Sequence, residues 1–180
     1  LNSPTPIFVN WESKLKLTNN NINICIPGCG EGHDAIYFAQ KGYNVVAIDF
    51  SNLAVNKLSE MSKQKKVNIN IIKEDFFNVD TSYYNSFDFI LEYTFYCAID
   101  PSKRNAYVNQ CHKLLKKNGK IIGILFPLEE RNNEGPPFKV SSNELEKKFL
   151  HKFDIIEKKF DNLSINPRKN NEMFYEIIKK

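Results

Sequence analysis

Gly28, Gly30 and Gly32 alternate with other residues in the stretch INICIPGCGEGHDAIYFAQKGYNVVAID, residues 22–49, which Asp49 closes. Glycine lets a backbone turn tightly and approach a ligand, and an acid ending the next apolar run can accept hydrogen bonds from two ribose hydroxyls. The pattern points to a nucleoside-bearing ligand held at a strand–turn–helix–strand unit. A dinucleotide fingerprint, G-x-G-x-x-G, uses its third glycine to keep the helix close to its strand below a pyrophosphate. His33 occupies that place here, so the fit to NAD or FAD is imperfect.

Other residues with chemical potential are sparse. The histidines are His33, His112 and His151, and only His33 lies near the glycine turn. No spacing suggests a paired general acid and base, so none is expected. Cys25, Cys29, Cys97 and Cys111 form no C-x-x-C pair, and reduced thiols in a cytoplasmic protein account for them most simply. Cys29 and His33 could share a helical face, but two ligands from one turn do not define a zinc site, and no metal is expected.

The elements that must position these residues alternate. Five apolar runs, Ile22–Ile26, Val45–Ile48, Ile69–Ile72, Phe87–Leu91 and Lys120–Phe126, are separated by helical patterns, which implies right-handed crossovers and a parallel sheet. Helices are expected over Glu31–Lys41, stopped by Gly42, and over Asn52–Lys65, capped by Ser51. In the next helix Asp100 suits the N-cap, Pro101 the first turn and Gly119 the terminus. Ser141 and Glu144 have capping-box spacing ahead of another short helix. Two closing runs, Phe153–Phe160 and Glu172–Ile178, flank the polar stretch Asp161–Asn171 and predict a hairpin-like end.

With 180 residues and 42% hydrophobic content, the chain suits a single domain with a sizeable core. No segment approaches the roughly 18 apolar residues of a membrane span. Residues 1–20 lack the basic start and apolar core of a signal peptide, and a chain opening on Leu1 reads as trimmed. The net charge of +4 comes from lysines scattered along the chain rather than gathered on one face, which argues against a nucleic-acid footprint. The expected partner is a small molecule, with no nucleic acid and no membrane.

The offset G-x-G-x-G, followed by an acid at the next strand end, resembles the S-adenosylmethionine-binding motif of class I methyltransferases. IPGCGEGHDAIYFAQKGYNVVAIDFS at 26–51, EDFF at 74–77, FDFILEYTFYCAIDPSKR at 87–104 and GPPFKV at 135–140 together resemble the thiopurine methyltransferase superfamily. The nearest likeness within it is to the thiol, halide and thiocyanate methyltransferases. The resemblance implies a Rossmann-like α/β sandwich with a seven-stranded, mostly parallel sheet, whose seventh strand inserts antiparallel beside the fifth.

By position, the resemblance implies that Gly28, Cys29, Gly30 and Gly32 pass the methionine and ribose portions of S-adenosylmethionine, with Asp49 on the ribose. Phe50 and Ser51 would flank the adenine, Asp75 and Phe76 would hold its amino edge and face, and Glu92 would line the crevice. Tyr93, Tyr96, Cys97 and Phe138 would face the acceptor. Family members carry an N-terminal segment that closes over the site, so in a chain starting just before Pro4-Thr5-Pro6 the lid is expected to be short or missing.

Methyl transfer from a sulfonium is an in-line displacement that needs alignment and water exclusion more than acid or base. A thiol with a pKa of about 8.5 is already partly thiolate at neutral pH, and halides and thiocyanate arrive as anions. The expected activity is therefore methyl transfer to a thiol, sulfide, thiocyanate or halide. An aromatic thiol acceptor, a cofactor-binding module without turnover and a nicotinamide-dependent oxidoreductase are the alternatives.

Overall fold

The computed structural model describes residues 3–15, 21–129 and 135–180. Among these, β1 (Asn23–Pro27), β2 (Asn44–Asp49), β3 (Asn70–Lys73), β4 (Phe87–Tyr93), β5 (Leu115–Leu125), β6 (Phe153–Lys159) and β7 (Met173–Lys179) form one sheet, ordered β3-β2-β1-β4-β5-β7-β6. β7 pairs antiparallel with both β5 and β6, and the pairs from β3 to β5 are parallel. All seven expected runs are strands, and the antiparallel insertion lies beside the fifth.

Side chains alternate along each strand, so the sheet feeds two cores. Ile24, Ile26, Val45 and Ala47 pack on one face against α1 (Pro6–Ser13), α2 (His33–Gln40) and α3 (Asn52–Lys65). Cys25, Ile90, Ile121 and Tyr175 pack on the other against α4 (Arg104–Leu114) and α5 (Glu144–Lys148). The result is a three-layer α/β/α sandwich. Ser51 caps α3, its Oγ accepting from Ala54 N at 3.4 Å.

Three expected details are corrected. Asp100 caps only a single 3₁₀ turn, Pro101–Lys103, and α4 ends at Leu114 rather than Gly119. Leu115 already pairs with Phe87 across a register shift, so β5 starts five residues before Lys120 and Gly119 lies against the β4 backbone. The capping box at Ser141 does not form, because the Glu144 side chain turns inward to 5% exposure and Asn143 takes the cap position.

α1 is an element the sequence reading did not foresee. It buries Ile7, Phe8 and Trp11, while Glu12 accepts hydrogen bonds from Tyr37 Oη at 3.0 Å and Tyr43 Oη at 3.1 Å. Just before it, Thr5 N and Oγ1 donate to the two oxygens of Asp34, at 2.7 and 2.9 Å. The start of α1 is thereby tied to the start of α2.

Candidate active site

The turn after β1 is shaped by its glycines. Gly32, at φ +80, precedes α2, and a Cβ there would lie 2.3 Å from Leu58 Cδ1. Gly30, at φ +53, faces the other way: a Cβ would meet nothing within 4 Å. The turn is closed on the side of α3 and open toward a ligand. Asp49 secures it from β2, one carboxylate oxygen accepting from Gly30 N at 3.0 Å and the other from Ser51 N at 2.9 Å.

A crevice of about 200 Å³ opens above this turn, lined by residues 26–34 together with Thr5, Phe8, Leu91, Tyr93, Thr94 and Arg168. It lies at the carboxyl ends of β1 and β4, where open α/β sheets bind ligands. Phe8 meets the Tyr93 ring edge-on at 6.3 Å, so α1 supplies one wall. Burial raises the Asp34 carboxyl pKa, a shift its bonds to Thr5 partly oppose.

A second cavity, of about 270 Å³, adjoins the first through shared residues Thr94 and Arg168, and its other walls are Cys97, Ala98, Phe126, Pro136 and Pro137. Burial pushes the Cys97 thiol up to about 12, and its Sγ donates to Thr94 O at 3.3 Å, so it is a neutral wall residue rather than a nucleophile.

Arg168 escaped the sequence reading. Its guanidinium carbon lies 4.3 Å from the Phe126 ring centre and 4.9 Å from that of Tyr93, and its Nη1 is buried with no hydrogen-bond partner. Glu172, 2% exposed, stands nearby and accepts from Tyr93 Oη at 3.2 Å. The two cavities therefore meet at a cation held between ring faces with donor capacity to spare.

Several expected site residues do not line either cavity. Phe76 is 2% exposed and packs on Phe95 and Tyr107, so its ring belongs to the core. Glu92 is 1% exposed and does not open on the crevice; its Oε1 accepts from Phe95 N at 3.1 Å and Tyr96 N at 2.8 Å. Tyr96 is 1% exposed, with its hydroxyl donating to Glu144 at 2.8 Å, and supports the acceptor wall from behind. The Phe138 ring folds over Gly135, and the Phe138 backbone N–H donates to Cys97 O at 2.7 Å. Phe50, just after Asp49, is 72% exposed. Asp75 turns its carboxylate to Phe77 N at 3.1 Å.

Residues 2–179 match the family model described as Thiopurine S-methyltransferase (TPMT). The chain is 34% identical over 177 residues to Probable thiol methyltransferase 2 of Arabidopsis thaliana, covering 96% of this chain and 75% of that protein. It is 36% identical over 118 residues to Thiocyanate methyltransferase 1 of Brassica oleracea, covering 64% of this chain and about half, 51%, of that one. A solved SAM-dependent methyltransferase from Methanosarcina mazei shares the fold, with a TM-score of 0.77, 17% identity and 98% of each chain covered.

Proposed function

The chain belongs to the thiopurine S-methyltransferase family, and from that premise we propose that it moves the methyl group of S-adenosylmethionine to a small soft nucleophile: a thiol, sulfide, thiocyanate or halide. When bound, the cofactor supplies a sulfonium-activated methyl. Gly28, Cys29, Gly30, Gly32, Asp49 and Ser51 are the residues that would hold it, with Phe50 and Asp75 at its adenine end. The fit rests on Gly30, whose missing Cβ leaves the turn open where a ligand's backbone-facing portion must come close.

The observation that carries the acceptor class is Arg168, the one cation that lines both cavities among the described residues, held between the Phe126 and Tyr93 rings. Its positive charge, shared with the neighbouring Glu172 carboxylate, would attract a soft anion or thiolate entering either cavity. Phe126, Pro136 and Pro137 add apolar walls that strip water from the nucleophile. No acid or base is needed for an acceptor that arrives ionised.

Residues 1–180 acting as one domain, a cytoplasmic setting and a small-molecule partner complete the proposal, supported by one sheet spanning β1 to β7 and by four free cysteines. Among the described residues, no helix is long and apolar enough to cross a membrane.

Calorimetry with S-adenosylhomocysteine and a headspace assay across sulfide, methanethiol, iodide and thiocyanate, with an aromatic thiol as comparison, test this reading. Binding accompanied by a methylated volatile from one of the first four supports it. Turnover of the aromatic thiol alone would move the acceptor to the thiopurine type, and binding without any turnover would leave a cofactor-binding module.

A further inference from the structure

Behind the acceptor cavity lies a buried polar group that the transfer itself does not use. Arg104, at the start of α4, is 6% exposed, and Glu144, at the start of α5, is 5% exposed. Arg104 Nη2 donates to Lys139 O at 2.9 Å and, more weakly, to Phe138 O at 3.5 Å. Its Nη1 reaches Glu144 Oε1 at 3.4 Å, and the same oxygen takes the Tyr96 hydroxyl at 2.8 Å. The guanidinium also lies over the Tyr96 ring, 5.0 Å from its centre.

These contacts join the two chain segments that make the cavity wall. Residues 94–98 are held from below by Glu92, through Phe95 N and Tyr96 N. Residues 136–138 are held through the Arg104 bonds to the carbonyls that follow, and the segments meet where Phe138 N donates to Cys97 O at 2.7 Å. Glu144 and Arg104 are two opposite charges in the interior, and such a pair is weak evidence for stability; what it fixes here is local geometry, since Nη1 goes to the carboxylate and Nη2 to two successive carbonyls, while the buried Nε has no partner.

We infer that Arg104 is a positioning residue for methyl transfer: with Glu144 and Tyr96 it clamps residues 136–138 against residues 94–98 and so sets the width of the acceptor cavity. It touches neither cavity's reacting centre, and its influence passes through Cys97, Pro136 and Pro137. The inference rests on the methyl-transfer reading for its kinetic consequence, but the wall geometry has a readout of its own.

That readout is Cys97, which lies on the cavity wall, whereas Cys29 lies in the glycine turn. With the hold on the 138 and 139 carbonyls weakened, Arg104→Gln should raise the acceptor KM roughly tenfold or more and speed iodoacetamide labelling of Cys97 by a similar factor. Labelling of Cys29 and the Kd for S-adenosylhomocysteine should stay within about twofold, and Arg104→Lys, which keeps the charge but only one donating nitrogen, should recover part of both effects.

Unchanged Cys97 labelling overturns the inference. So does a parallel rise at Cys97 and Cys29 with loss of cofactor-product affinity, which would mark general loosening. If the wild type turns over no acceptor, the methyl-transfer reading fails while the Cys97 to Cys29 ratio still decides the clamp. Should Arg104→Gln not fold, Tyr96→Phe removes one hydroxyl and keeps the ring; a selective rise at Cys97 supports the clamp, and none overturns it.

Discussion

Arg168 lines both cavities whereas Glu92 is buried beneath them, and they carry opposite expectations. Arg168 offers its positive charge to both cavities, so Arg168→Met should raise the KM for thiocyanate by roughly tenfold to a hundredfold, the equivalent of about 1.5–3 kcal/mol, and affect a neutral aromatic thiol less. Equal losses for both acceptors would remove Arg168 from the acceptor subsite. Glu92 works on the fold. Burial raises its carboxyl from the ordinary 4.5 to about 7, against the lowering effect of the bonds from Tyr96 N, Phe95 N and Tyr175 Oη. The unfolded chain therefore loses this proton at lower pH than the folded one, so between those values the folded state binds more protons and stability falls as pH rises. The loss is complete above about pH 7 and amounts to roughly 3–4 kcal/mol. Glu92→Gln keeps an oxygen for the two amides and abolishes the titration. Urea midpoints from about pH 5 to pH 8 should decline more steeply for the wild type than for the variant, and parallel curves would show that Glu92 does not titrate in this window.

At the scale of elements, the turn between β1 and α2 separates packing from binding within three residues. Gly32→Ala drives a methyl group into Leu58 in a left-handed backbone, a combined cost of roughly 2–4 kcal/mol that thermal melting will show. Gly30→Ala meets no atom and costs only about 1–2 kcal/mol for its backbone, yet it fills the open side of the turn, and S-adenosylhomocysteine affinity should fall by at least about tenfold. If Gly30→Ala binds normally, the turn is not the cofactor cradle. This turn was legible from sequence because its signals are local: alternating glycines, two apolar runs and a closing acid. So was α3, whose Ser51 cap and apolar stripe lie within one short stretch. Local signals misled at Gly119, where the chain turns at Asn118 with φ 63 inside a strand begun by pairing with Phe87. They misled again at Glu144, whose partners Arg104 and Tyr96 are 40 and 48 residues away. Arg168 sits in a polar stretch that reads as solvated loop, and what buries it comes from Tyr93 at the end of β4 and Phe126 just after β5. No pattern near Arg168 encodes that convergence.

Across the whole molecule, the crevice draws its walls from chain regions far apart in sequence: Thr5 and Phe8, the turn at 26–34, Leu91 to Thr94, and Arg168 before β7. The Thr5 to Asp34 bonds and the Phe8 to Tyr93 contact join the first of these regions to the next two. A ligand bound there bridges segments that separate only when the sheet and its α1–α2 layer come apart, so binding should stabilise the fold as a unit. Linkage makes the effect calculable: at 100 times Kd a ligand adds about 2.7 kcal/mol. For a chain of this size each kcal/mol moves the melting temperature by roughly 2–4 °C, so saturating S-adenosylhomocysteine should raise Tm by about 5–11 °C, growing with the logarithm of concentration. NADH at the same concentration should leave Tm unchanged, because His33 stands where a dinucleotide turn needs glycine beneath its pyrophosphate. A shift with NADH and none with S-adenosylhomocysteine would contradict the cofactor assignment. A two-step melt, with S-adenosylhomocysteine moving only one step, would instead show that the α1 wall opens without the sheet. Asp34 then becomes the residue to probe, since Asp34→Ala cuts both of its bonds to Thr5 and should lower ligand affinity while leaving the β1–β5 core intact.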